Sequence, residues 1–313
     1  MLRDSFVRRH KLRGMFGRAM VLLLVLARVS YAAETFRVVT YNLENYLDQP
    51  SGKRKAKPAE AKAKICENIL AIKPDVIALQ EMGTTNALLE LQSSLKSGGL
   101  NLPHWEHIRA HDTNIHLAIL STLPFSSRRP HTNEEFLLGS HRHFVSRGFA
   151  EVEVKVNEKY QFTLIAAHLK SRVAVASADE AEERLQEAIL LRQLIDSRLS
   201  ANPDLNLIVL GDFNDVRDSA PLRTIIGNGA NPLFDLRPAE KPHPPHINSD
   251  EHAVTWTYHF AKEDVYSRID YIFISRGMAR EWLNEDTYVF SSPDWGSASD
   301  HRPVVADFVS EEK

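Results

Sequence analysis

Apolar residues recur along the chain in two rhythms, one of period two and one near 3.6, and these predict most of its elements. Phe36 to Tyr41 is a β-branched run that predicts a strand, followed by a polar loop carrying Lys53, Arg54, Lys55 and Lys57. Ile65, Ile69 and Ile72 lie one helical turn apart and predict a helix over about 59–72, which Pro74-Asp75 breaks. Val76-Ile77-Ala78-Leu79 then reads as a buried strand running into Gln80-Glu81, and His116 to Leu120 as a short strand ended by Pro124. Glu151-Val152-Glu153-Val154-Lys155-Val156 alternates charged and apolar residues, which predicts a strand with one wet face. Phe162 to Leu169 is apolar on both faces and predicts a central strand covered on both sides. Asp179 to Leu199 is the longest helical stretch, acidic at its start and with Ala188, Leu191, Ile195 and Leu199 on one face. Leu205 to Leu210 is a further buried strand that stops at Gly211-Asp212-Phe213-Asn214, and Arg268 to Ser275 and Val304 to Phe308 supply the last strands.

The resulting order is mixed α/β, with strands that often follow one another without an intervening helix, so a parallel dinucleotide-binding sheet fits poorly. No long linker, fixed-period repeat or low-complexity tract interrupts residues 33–313, which read as one catalytic domain. Residues 1–32 follow a different logic. Arg3, Arg8, Arg9, Lys11, Arg13 and Arg18 precede an apolar run from Ala19 to Ala27, and Ser30-Tyr31-Ala32 completes the pattern of a cleavable export signal. That run is closed by Arg28 and falls far short of the roughly 20 apolar residues a membrane-spanning helix needs. The expectation is a signal peptide over 1–32 and a secreted or periplasmic, monomeric protein without stable membrane insertion.

Composition narrows the chemistry. The single cysteine, Cys66, leaves no pair for a disulfide or a cysteine-held zinc, so any metal must be held by oxygen or imidazole. Without residues 1–32, which hold seven basic side chains and one acidic one, the chain carries 31 basic and 40 acidic groups, a net of −9. A balance of this sign argues against passive gripping of nucleic acid by counterion release, but not against an enzyme that reaches phosphate through divalent cations.

The polar residues that end the apolar strands carry the chemistry. Glu81, Asp212 and Asp270 each end or interrupt such a run, as do Asn42 and His168. Carboxylates gathered out of water repel one another unless a cation compensates them, and carboxylates with an Asn amide and water are the donors Mg²⁺ prefers. Taken singly, each has a plain structural reading: a turn cap for Asn42, a helix-start acid for Glu81, a turn before Pro303 for Asp300-His301. Their joint occurrence in chain order points to a magnesium-dependent phosphoryl-transfer centre.

The ordered set Tyr41-Asn42-Leu43-Glu44-Asn45, Leu79-Gln80-Glu81, His168-Leu169-Lys170-Ser171, Gly211-Asp212-Phe213-Asn214, Arg268-Ile269-Asp270-Tyr271 and Ser299-Asp300-His301-Arg302-Pro303 resembles the endonuclease/exonuclease/phosphatase superfamily. That superfamily includes deoxyribonuclease-like enzymes, abasic-site endonucleases, sphingomyelinases and inositol polyphosphate 5-phosphatases. The resemblance implies a four-layer α/β sandwich of two packed, mostly antiparallel sheets with outer helices, and a site at one end of the sheets. By the same resemblance Glu81 is the principal Mg²⁺ ligand, with Asn42 beside it and Asp300 as a further metal-associated carboxylate. Mn²⁺ is an expected substitute. Asp212 and Asn214 orient the attacking water and hold a phosphate oxygen, Asp270 orients His301, and His168 stands near the scissile phosphate. Which of Asp212 and His301 takes the water's proton stays open, with His301 favoured because an ion-paired imidazole exchanges protons near neutral pH.

One departure stands out. Relatives of the deoxyribonuclease type support the histidine equivalent to His168 with a carboxylate on an earlier strand, whereas Asn114-Ile115-His116-Leu117 offers none. Other features have two readings each. The Lys53 to Lys57 cluster fits either substrate phosphates or a solvated loop. His243, His246, His252 and His259 suggest a flexible loop before a metal site, and Arg147, His141 and His143 suggest surface groups before phosphate contacts. Trp256 and Tyr258 suggest core before a stacking surface. The reading that results is an exported Mg²⁺-dependent phosphodiesterase that uses in-line water attack, first an endonuclease on DNA or RNA. The alternative is a phospholipase C or sphingomyelinase-like enzyme or a hydrolase of small phosphoesters. A non-enzymatic binding module ranks last, because no member of the set is missing.

Overall fold

The computed structural model describes residues 34–172, 179–241 and 253–311. The expected export signal and His243, His246 and His252 lie outside these residues. In chain order the first half holds β1 (Thr35–Tyr46), α1 (Ala59–Ile72), β2 (Val76–Met82), α2 (Thr85–Ser97), β3 (His104–Ile108) and β4 (His116–Ser121). There follow β5 (Phe125–His131), β6 (Glu135–Leu138), β7 (His141–Phe144), β8 (Phe149–Lys155), β9 (Gln161–His168) and α3 (Glu180–Ala201). Next come β10 (Leu207–Asp212), α4 (Ala220–Ile226), β11 (Phe234–Asp235), β12 (Ala239–Glu240) and β13 (Tyr258–Phe260). The chain closes with β14 (Val265–Ser267), β15 (Asp270–Ile274), β16 (Trp282–Val289) and β17 (Val304–Val309).

Two mixed sheets dominate, one of seven strands in the order β12-β16-β17-β1-β2-β4-β3 and one of six in the order β11-β15-β10-β9-β8-β5. Strand alternation explains how they assemble. Phe36, Val38, Val76, Ala78, Val304 and Ala306 from the first sheet share one buried cluster with Val152, Leu164, Ala166, Ile208, Leu210 and Ile272 from the second. The intervening residues of the first sheet, among them Val39, Tyr41, Ile77 and Leu79, pack with Ile65 and Ile69 of α1 and Leu88 and Leu91 of α2. Those of the second, among them Ile165, Val209 and Phe273, pack with Ala188, Leu191 and Ile195 of α3 and Leu222 of α4. Two sheets face to face with helices outside make the four expected layers.

Most predicted elements occur with the expected bounds, and Asp179 caps α3 by accepting from the Ala181 and Glu182 amides. Strands β3, β5, β6, β7 and β16 are not among the predicted elements, and three further features depart from expectation. α2 is unanticipated, although Ala87, Leu88, Leu91 and Leu95 lie on one buried helical face. The wet face expected around Glu151 is dry there: Glu151 is fully buried beneath α3, where Arg198, Arg129 and His131 engage its carboxylate. Arg147, expected at the surface, is buried against Asp112 and the Leu169 carbonyl. Among the described residues no helix is long and apolar enough to cross a membrane.

Candidate active site

The parity that buries Val38, Leu164, Leu210 and Ile272 between the sheets carries on to Asn42, His168, Asp212 and Asp270 at the ends of their strands. Registers bring them together. Asp212 lies opposite His168 on β9 and opposite Asp270 on β15, while Asn42 lies opposite Gln80 on β2. Gly211 makes this pairing feasible. Its φ is +143°, and a Cβ there would fall 1.9 Å from the Ala167 carbonyl oxygen, so a side chain cannot be accommodated.

One oxygen, Asp212 Oδ2, is the meeting point. Asn42 donates to it from Nδ2 at 2.9 Å, His168 Nε2 lies at 3.5 Å and His301 Nε2 at 3.7 Å. The other oxygen of Asp212 accepts the Asn214 amide at 2.8 Å, with Asn214 in the left-handed region at φ 54°. Asn214 Nδ2 donates to the Leu169 carbonyl at 3.0 Å, which leaves its second N–H available. His301 is held from its far side, where Nδ1 lies 2.8 Å from Asp270 Oδ2. The Thr257 hydroxyl accepts both the Ile269 and Asp270 amides, and Ser299 joins the Asn42 carbonyl to the His301 amide.

These surroundings separate the two histidines. Burial, followed by the charges of Arg147, His301 and Arg54, holds His168 well below its ordinary range, so its ring is neutral. Its Nδ1 is buried and has no hydrogen-bond partner among the described residues, as expected from the lack of an acid near Asn114. His116 from that region turns instead to the Gly83 carbonyl. Burial also disfavours charge on His301, but Asp270, Asp212 and Asp300 outweigh it and push the imidazole up to about 10. Asp212 is pushed up to about 7, first by burial and then by Asp270, against the pull of His301.

Glu81 reaches the site by a different route. The pairing of β2 with β4 slips between Leu79 and Met82, and Glu81 sits in that bulge with φ 60°. Strict alternation would put Glu81 on the helix-covered face with Ile77 and Leu79; the bulge re-aims it. β1 carries a matching irregularity in which Glu44 and Asn45 are left-handed, and their successive amides donate to Asn42 Oδ1 and Glu81 Oε2 at 3.0 and 2.8 Å. Arg54 lies 3.8 Å from Glu81, and Lys57 donates to the Glu44 carbonyl at 2.7 Å, so the basic loop contacts the site it follows in sequence. Asp300 is pushed up to about 6 by burial and by the charges of Glu44 and Glu81, against His301 and Lys57.

The donor set suits a divalent cation at Glu81 and Asp300. Both offer hard carboxylate oxygens, and the repulsion between Asp300 and Glu81 is what a cation relieves. Asp212, Asp270 and His301 also lie within 4.8 Å of one another. Within that trio His301 is hydrogen-bonded to Asp270 at 2.8 Å and stands 3.7 Å from Asp212. Sequence reasoning did not anticipate Thr257 or the position of Tyr258, whose ring lies 4.7 Å from that of His301 at the rim. His259 stacks on Tyr266 at 4.3 Å, and Trp256 meets Tyr266 and Trp295 at 4.9 Å each, an aromatic group outside the core.

A sequence profile of the Endonuclease/Exonuclease/phosphatase family matches residues 39–301. No curated protein sequence matches the chain. Among solved structures, sphingomyelinase C from Streptomyces griseocarneus is similar at 18% identity and TM-score 0.57, over 88% of this chain and 97% of that one. The human Nocturnin catalytic domain with bound sulfate anion gives the same identity, TM-score and coverage of both chains. Truncated TDP2 from Caenorhabditis elegans is similar at 14% identity and TM-score 0.56, over 88% and 98%.

Proposed function

The chain belongs to the endonuclease/exonuclease/phosphatase family, and from that premise we propose that it is a divalent-metal-dependent phosphodiesterase, first of all a nuclease. Members of this family act on phosphoester bonds and generally depend on divalent metal. The observation that carries the reading is the gathering of Asn42, His168 and His301 around one oxygen of Asp212, with Asn214 on the other.

Glu81, Asp300 and Asn42 are the residues that would hold Mg²⁺ or Mn²⁺, and the bound cation would supply Lewis-acid stabilisation of a phosphoryl oxygen. The chain's own groups account for the rest. With His301 pushed up to about 10, its imidazole already holds a proton at neutral pH and acts as a fixed positive charge for the phosphoryl oxygens. Asp212, pushed up to about 7, is the group matched to accept the water's proton, so the electrostatics favour Asp212 over His301 as base. Neutral His168 donates without adding charge, and the second N–H of Asn214 holds an oxygen in place.

A second reading, a lipid phosphodiesterase, takes its support from the β13–β14 hairpin beside the site, where Val265 and Tyr266 are 45% and 50% exposed. We further propose that residues 1–32 direct export and that 33–313 is the working enzyme. The test is hydrolysis of plasmid DNA, RNA and sphingomyelin vesicles by residues 33–313, with Mg²⁺ or EDTA and with Glu81→Ala. Metal-dependent cleavage of DNA or RNA that Glu81→Ala abolishes is the expected result. Cleavage confined to sphingomyelin would replace the nuclease reading with the lipid one, and no turnover by a folded protein would overturn both.

A further inference from the structure

Next to the site lies a cavity of about 510 Å³ whose walls include Arg54, Arg147, Lys170, Ser146 and Ser171, with Asp112 as the only carboxylate among its lining residues. Three cations against one carboxylate is a local reversal of the chain's acidic balance. The cavity abuts the site on two sides. Arg54 lies 3.8 Å from Glu81, and Arg147 Nη1 donates at 3.3 Å to the same Leu169 carbonyl that Asn214 uses.

The cations are fixed in place. Asp112 holds Arg147 at 3.2 Å and Glu183 holds Lys170 at 2.5 Å, while their side chains remain 8% and 24% exposed and that of Arg54 35%. Neither Glu183 nor Glu81 lines the cavity, and Asp112, which does, is engaged by Arg147 and by the Asn114 amide, so cations, hydroxyls and the Asn114 amide make up most of the rest of the wall. Prefixed guanidinium and ammonium groups with neighbouring hydroxyls match the tetrahedral oxygens of a phosphate. The field of Arg147 and Arg54 also reaches His168.

We propose that this cavity is a subsite for a second phosphate of the same substrate, bound while the scissile phosphate sits at Asp212 and Asn214. The inference rests on the phosphodiesterase reading and deepens it: the substrate carries at least two phosphates, as a nucleotide strand or a multiply phosphorylated polyol does and sphingomyelin does not.

Binding tests it without catalysis. Calorimetric titration in EDTA compares thymidine 3′,5′-bisphosphate with thymidine 5′-monophosphate, and inositol 1,4-bisphosphate with inositol 1-phosphate. The second phosphate should tighten binding by about 10-fold or more, the worth of one charge-assisted hydrogen bond. Lys170→Ala and Arg147→Lys should each erode that gain, and Lys155→Ala, at the exposed end of β8, should retain it. The pair that shows the gain names the source of the second phosphate. Equal affinity within both pairs, or a gain that survives both substitutions, overturns the subsite. Hydrolysis of bis(p-nitrophenyl) phosphate, which carries no second anion, is followed separately with Mg²⁺. Its absence would count against the phosphodiesterase reading and leave the binding result standing.

Discussion

At the scale of single residues, the site works by giving similar groups unlike surroundings. His168 and His301 face the same carboxylate oxygen, yet one is neutral and the other charged because only His301 has Asp270 behind it. Asp270→Asn should therefore bring the His301 titration down from about 10, since burial then acts with less opposition. The sign follows for stability: the pair contributes fully below the ordinary histidine value of 6.5 and loses its contribution as pH rises through about 10. Histidine NMR of the metal-free protein reads this directly, and a midpoint unmoved by the substitution would refute the assignment. Asp212→Asn should retain the fold and lower turnover by about 10²–10⁴-fold, the usual worth of a general base. These residue types and their order were legible in the sequence. The division of labour between the two histidines was not, because it depends on which neighbours tertiary contact supplies.

At the scale of elements, alternation along strands delivers Asn42, His168, Asp212 and Asp270 to one face, and irregularities deliver the rest. Gly211→Ala should cost on the order of 3 kcal/mol in urea unfolding, because a Cβ meets the Ala167 carbonyl of the paired strand. Were its stability unchanged, the close approach of β10 to β9 would not be what requires glycine. The buried Glu151 cluster makes a separate prediction. Arg198 clasps both carboxylate oxygens at 2.8 Å, and Glu151 is pulled down to about 2: burial opposes this, but His131 and Arg198 prevail. A depressed carboxyl stabilises the fold above its ordinary value of 4.5, and that contribution is lost as pH falls through about 2. Glu151→Gln should cost about 3 kcal/mol at pH 7 and flatten the acid limb of the stability curve. A limb of unchanged slope would mean that other carboxylates govern it. Period-two charge at Glu151 and Glu153 signals a strand correctly, but not that α3 would cover one of those charges.

At the scale of the whole molecule, the proposed cation ties β1, β2 and the loop before β17 together through Asn42, Glu81 and Asp300. Saturating Mg²⁺ should therefore raise the melting temperature, with a stabilisation of about 2.7 kcal/mol at 100 times the dissociation constant. Glu81→Ala should abolish the shift in a thermal scan with and without EDTA; a shift that persists would place the cation elsewhere. Hydrophobic periodicity alone determined the helices α1 and α3, the buried strands and the mixed α/β class, because burying apolar faces leaves few solutions, while the four-layer arrangement followed from the family resemblance. The ordered polar residues at strand ends determined the family and the kind of chemistry. Tertiary structure alone decided that Glu81 turns inward on a bulge, that Arg54 and Lys57 lean on the carboxylates, and that Arg147 and Lys170 share a cavity beside the site. Each of these depends on register slips or on contacts between residues far apart in the chain. Local sequence patterns carry the period of a strand, but not the point at which its pairing with a distant neighbour breaks step.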